Sequence, residues 1–122
     1  MQEADALALV KNGCIAVAEG ANMPCTKMAV EVLMKNKVLF APGKAANAGG
    51  VTVSAFEMSQ NSMRQSWSFE EVDRKLKANM ESIFENIDTC AMTHNLENNF
   101  VAGANIFAFN RLVEGLLAQG VV

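Results

Sequence analysis

Few side chains in this sequence have the types and spacing that chemistry needs, and most of them fall between Glu19 and Asn61. The stretch from Phe40 reads Phe-Ala-Pro-Gly-Lys-Ala-Ala-Asn-Ala-Gly-Gly-Val-Thr-Val-Ser-Ala-Phe-Glu-Met-Ser-Gln-Asn. Pro42-Gly43 ends a short apolar run, because proline cannot donate to a strand ladder and glycine frees the backbone to turn. A helical pattern follows, and Asn47 is placed to cap it by accepting from first-turn amides. Gly49 and Gly50 then fall in that turn. Without a Cβ they let a ligand approach the backbone, and free amides with the positive end of the helix dipole favour a carboxylate or phosphate. Asn47, Val51 and Ser54 follow at spacings of four and three, which puts them on one helix face. An amide, bare backbone, an apolar side and a hydroxyl on one surface suit a small amino acid or keto acid beside a cofactor. The same residues also read as a strand-to-helix turn that uses glycine for packing alone.

Other reactive types are sparse. Lys44 is the best isolated candidate for a base, but nothing nearby in sequence desolvates it or lowers its pKa, and a solvated lysine at a turn accounts for it equally well. His94 follows a long apolar stripe with no identifiable Ser, Cys or Asp partner, which favours a structural role at a helix C-terminus. Three cysteines, Cys14, Cys25 and Cys90, have no CxxC spacing and read as reduced thiols of a cytoplasmic protein. One histidine and no ligand pairs leave no expected metal site.

These residues need elements to hold them. Residues 3–12 read as a short helix closed by Gly13. Cys14 to Ala18 is a continuous apolar run, suited to a parallel strand covered on both faces, and it stops at Glu19-Gly20-Ala21-Asn22. Met23-Pro24 opens a helix to about Asn36, with Pro24 in the first turn. Val38 to Ala41 is a second strand. This strand-helix-strand-helix order predicts parallel strands, and in such sheets ligands sit outside the carboxyl ends. Asn22 and Asn47 are thereby placed on one rim, where both could equally serve as caps and nothing more. Ser68 with Glu71 forms a capping box before a long amphipathic helix, roughly 69–92, with Val72, Leu76, Met80, Ile83, Ile87 and Cys90 or Ala91 inward. Glu97-Asn98-Asn99 is a loop and cap. Phe100 to Ala118 is a final apolar helix, with Gly103 at a close packing point and Gly120 as its stop. Gly-Ala-Asn at 20–22 and 103–105 reads as coincidence, since nothing around it repeats.

The chain has 122 residues, 51% of them hydrophobic and 19% charged, with a net charge of −3. That is one globular domain or less, without the basic patch that nucleic acid or an anionic membrane would require. The N-terminus has no positive segment of a signal peptide, and no apolar run is expected to reach the roughly 18 residues of a membrane span. No GxGxxG occurs, so a complete dinucleotide-binding unit with its pyrophosphate turn is absent.

Ala-Pro-Gly-Lys-Ala-Ala-Asn-Ala-Gly-Gly-Val (41–51) resembles a signature of hexameric, bacterial-type glutamate dehydrogenases. Ala-Glu-Gly-Ala-Asn-Met-Pro (18–24), Phe-Glu-Met-Ser-Gln-Asn (56–61) and Val-Ala-Gly-Ala-Asn-Ile (101–106) match too, in the family's order. The resemblance runs from about Asp5 to Gly120 and covers only the C-terminal part of the family's chain. It implies an α/β fold: 1–66 as the second half of a Rossmann-like dinucleotide-binding domain, and 67–122 as the closing C-terminal helices. It implies NADP or NAD as cofactor and L-glutamate, 2-oxoglutarate and ammonia as reactants. Gly20, Ala21 and Asn22 would lie on the nicotinamide-ribose side, Asn47 beside the nicotinamide, and Val51 and Ser54 in the pocket for the distal carboxylate of glutamate. Related leucine and phenylalanine dehydrogenases need an apolar pocket, so Ser54 favours glutamate.

The family's catalytic Lys and Asp belong to its N-terminal domain, so no catalytic residue is expected in this chain. Two expectations follow: a segment of a glutamate dehydrogenase whose intact form is a cytoplasmic homohexamer, or a truncated, non-enzymatic module. A segment of a related amino-acid dehydrogenase is the further alternative. Without the Gly-rich turn and the acid-base residues the segment alone is expected to be inactive, and a small sheet cut from a larger one leaves an unpaired edge, so it is expected to self-associate.

Overall fold

A computed structural model describes residues 1–120. Eight elements follow in order: α1 (Glu3–Lys11), β1 (Ala16–Ala18), α2 (Lys27–Lys35), β2 (Leu39–Ala41), α3 (Gly43–Ala46), α4 (Ala48–Met63), α5 (Phe69–Thr93) and α6 (Phe100–Gln119). The strands pair in parallel, Ala16 opposite Leu39, Val17 opposite Phe40 and Ala18 opposite Ala41. The result is a mixed α/β structure in which a short parallel pair is followed by long helices.

Two small cores hold it. Ala6, Ala29, Leu33, Val38 and Phe40 pack α1 and α2 against the strands. Ala45, Ile87 and Ala104, with Ile83 and Phe100 beside them, join α3, α5 and α6. Coverage of both sheet faces does not occur. Ala16 and Ala18 are exposed and Leu39 keeps 43% of its surface, because the helices here cover too little of a two-stranded sheet.

The helix after Asn22 also starts later than the sequence suggests. Met23 has φ +49, outside the helical region, and the Cys25 amide is taken by the Glu19 carboxylate. The first helical residue is Lys27, capped by Thr26, whose Oγ1 accepts from Ala29 N at 3.3 Å. Pro24 therefore lies in a loop rather than in a first turn.

The other boundaries follow local signals. Gly13, at φ +77, sits just past Asn12, the last cap of α1. Ser68 caps α5 by accepting from Glu71 N, and Asn99 caps α6 by accepting from Ala102 N. Gly120 closes α6 in the left-handed conformation. A Cβ on Gly103 would stand 2.4 Å from the Ile87 carbonyl oxygen, so α5 and α6 approach as closely as they do only because this residue is glycine. Phe56 and Gln60 of the 56–61 motif organise the turn from α4 to α5. Gln60 Oε1 accepts from Trp67 N at 2.6 Å, and Phe56 meets the Trp67 ring edge-on at 5.8 Å.

α6 corrects one sequence expectation. Its 20 residues are long and apolar enough to cross a membrane by length and composition, with only 11% of that window buried. Its polar neighbours Arg111 and Glu114 pair along the helix at 2.8 Å.

Candidate functional site

The loops after β1 and β2 meet at the carboxyl ends of the strands. β1 continues one bond further, Glu19 N donating to Ala41 O at 3.1 Å, and then turns outward through Gly20, Ala21 and Asn22. After β2, Pro42 leads into α3, a single helical turn that the sequence reading did not anticipate. The two loops join through their amide side chains: Asn47 Nδ2 donates to Asn22 Oδ1 at 2.8 Å. The expected common rim is present.

Asn47 does not cap by its side chain. It stands between α3 and α4 at φ −92 and ψ 2, and makes no cap bond. α4 begins at Ala48, directly after Asn47, where the sequence places it; α3 precedes it with a start of its own at Pro42-Gly43, and the Gly50 amide is not a free first-turn donor. Gly50 N donates to Asn47 O at 3.3 Å. Gly49 faces Leu76 and Met80 of α5, while a Cβ on Gly50 would meet open space. The first amide of α3, that of Gly43, is taken by the chain's own carboxylate: Glu19 Oε2 accepts from Gly43 N at 2.7 Å. Glu19 Oε1 accepts from Cys25 N at 3.2 Å. Burial, and then the adjacent Glu19, hold the Cys25 thiol above its usual range.

Lys44 is exposed on α3, and its Nζ donates to Asn105 Oδ1 of α6, which ties the rim to the C-terminal helix. The second Gly-Ala-Asn therefore touches the site region, though as helix rather than loop. Val51 lies beside an open groove of about 760 Å³ between α4 and α5, with Thr52, Phe56, Trp67 and Asn79. Thr52 is buried and accepts from Asn79 Nδ2 at 2.7 Å, and Lys75 Nζ lies 4.4 Å from the Trp67 ring centre. Ser54 is exposed, and its Oγ donates to Gly50 O at 3.2 Å, along its own helix. The structure thus brings Asn22 and Asn47 together and leaves Ser54 about 10 Å further along α4, at 1.5 Å of rise per residue. His94 caps α5, exposed, with Nδ1 donating to Cys90 O at 2.9 Å; among the described residues no Ser, Cys or Asp side chain is hydrogen-bonded to it. Among the described residues no group of His, Cys, Asp and Glu could hold a metal ion.

Sequence reasoning missed Glu19 and Asn105 as organising residues. The signal for Glu19 was available: a carboxylate directly after an apolar strand, with a Gly beyond the next strand to receive it.

The Asn22–Asn47 contact leaves Asn22 Nδ2 and Asn47 Oδ1 with no hydrogen-bond partner among the described residues. A donor and an acceptor thus stand side by side at the strand ends of a segment of α/β class. The model of the glutamate/leucine/phenylalanine/valine dehydrogenase family matches residues 1–120, and the chain belongs to that family. It is 53% identical over 118 residues to a glutamate dehydrogenase of Bacteroides thetaiotaomicron, covering 93% of this chain and 26% of that protein. It is 48% identical over 117 residues to an NADP-specific glutamate dehydrogenase of Helicobacter pylori, covering 96% of this chain and 26% of that one. The structure of Plasmodium falciparum glutamate dehydrogenase 2 superposes with a TM-score of 0.93 at 43% identity, over 100% of this chain and 27% of that one. The chain thus spans about a quarter of the length of the relatives it matches.

Proposed function

We propose that this chain forms one wall of the active site of an NAD(P)-dependent glutamate dehydrogenase, whose intact form reversibly deaminates L-glutamate to 2-oxoglutarate and ammonia. Residues 1–66 then act as the second half of the dinucleotide-binding domain and 67–122 as the helical segment that closes it; residues 121 and 122 lie outside the described structure. The observation that carries the reading is the Asn22–Asn47 pair, whose spare donor and acceptor complement a carboxamide such as that of nicotinamide. Gly20 and Ala21 line the approach on the ribose side. Val51 and Ser54 bound the substrate pocket. The hydroxyl of Ser54 reaches a carboxylate by rotating its proton away from Gly50 O, so part of the new bond offsets the loss of the old one. Unpaired thiols at Cys14, Cys25 and Cys90 fit a cytoplasmic setting.

The test is a graft. Residues 1–120 replace the matching stretch of the Bacteroides thetaiotaomicron enzyme, and glutamate-dependent reduction of NAD and NADP is followed. Activity is expected, and Ser54→Ala in the graft should raise KM for glutamate by roughly tenfold, the lower end for a hydrogen bond to a charged group. A folded graft that prefers leucine or valine moves the assignment to the related dehydrogenases. The 122 residues alone should give no turnover, since the acid-base residues lie elsewhere in the family's chain. Exposed Phe109, Leu112 and Leu117 favour association of that isolated segment, which sedimentation at rising concentration would detect.

A further inference from the structure

Glu19 is a buried polar side chain with both carboxylate oxygens hydrogen-bonded. It is 7% exposed, and no salt bridge reaches it among the described residues. A buried carboxylate without a cation must be stabilised by hydrogen bonds or leave its charge. Here backbone amides do it, one from each loop. Gly43 N, four residues before Asn47, donates at 2.7 Å, and Cys25 N, three residues after Asn22, donates at 3.2 Å. The Gly43 position is shaped to allow this: a Cβ there would stand 2.7 Å from Ala21 O and 3.2 Å from Glu19 Oε2. Bonds to a charged acceptor are the stronger kind, so the two loops are held by the carboxylate more firmly than by the exposed bond between the asparagines.

We propose that Glu19 is the positioning residue of the cofactor-facing rim: its carboxylate clamps the 20–25 and 42–47 loops and thereby sets the Asn22–Asn47 pair. It touches no ligand itself. The inference rests on the proposed function only for the meaning of the rim; the clamp itself is testable without cofactor.

The probe is the 122-residue chain in solution. In wild type, the side-chain amide protons of Asn47 and Asn22 should show a nuclear Overhauser contact. In Glu19→Gln, which keeps one acceptor oxygen but turns an NH2 toward an N–H, the Gly43 or Cys25 amide should exchange at least about tenfold faster. The Asn22–Asn47 contact should vanish together with it, while amides of the Gly103 crossing keep their protection. A merely structural glutamate would leave the asparagine contact in place, so a folded Glu19→Gln or Glu19→Asp chain that retains it overturns the proposal. Should neither variant fold, native-state exchange of the wild type decides. Cys25 and Gly43 amides opening with one free energy support a single clamp, and separate openings refute it. Failure of the graft experiment with these results intact would count against the cofactor reading and not against the clamp.

Discussion

The rim at the strand ends and the crossing of α5 with α6 are built on opposite physical terms. The rim is polar and directed: one buried carboxylate, two backbone amides and an amide pair fix loops that have little apolar surface to bury. The crossing is apolar and steric: Gly103, Ala104, Ile87 and Ala91 meet at van der Waals distance, with almost no polar contact between them. Hydrogen bonds specify angles, whereas close packing specifies distance. A region that must present a donor and an acceptor to a ligand uses the first, and one that must hold two long helices uses the second.

The contrast predicts where substitutions register. The largest effect should come from Gly103→Val, which forces side-chain atoms into the Ile87 carbonyl. A loss of about 3 kcal/mol, the upper end for overpacking, is expected in denaturant unfolding, despite the better helix propensity of the new residue. An unchanged midpoint would show that α5 and α6 can separate freely. Next comes Ser68→Ala, which removes the cap of α5 and should cost about 1 kcal/mol.

Asn47→Ala sharpens the comparison from the other side. Its lost bond is solvent-exposed, so stability should change by only about 0.5 kcal/mol, while cofactor KM in the grafted enzyme rises. A large stability loss would make the asparagine pair part of the scaffold.

The smallest effect concerns Cys25. Its thiol is held above its ordinary value by burial first and Glu19 second. A raised folded value contributes stability that is complete below the unfolded thiol range and is lost as pH rises through the folded one. Between about pH 8 and 10, stability of the wild type should therefore fall more steeply than that of Cys25→Ala. Parallel curves would show that the thiol senses neither burial nor the clamp.

Helix limits that depend on neighbouring residues could be read from the chain alone. The Ser68 cap, the Asn99 cap, the stop at Gly120 and the inward stripe ending in Ile87 and Ala91 are local patterns, and the structure keeps them. Where a boundary depended on a distant partner, local reading failed. Pro24 looks like a helix opener, yet the helix waits until Lys27, because Glu19 holds the Cys25 amide in the loop. Asn47 looks like a cap, yet its side chain is spent on Asn22, 25 residues earlier.

The order of the strands and of every helix but α3, the family motifs and the shared rim were therefore determined by sequence, since strand direction and chain order fix which loops can meet. Only tertiary structure decided what holds the rim together. An anion at the Gly43 amide could have been a ligand's or the protein's own, and that choice depends on the folded chain bringing Glu19 across 24 residues of sequence to within 2.7 Å.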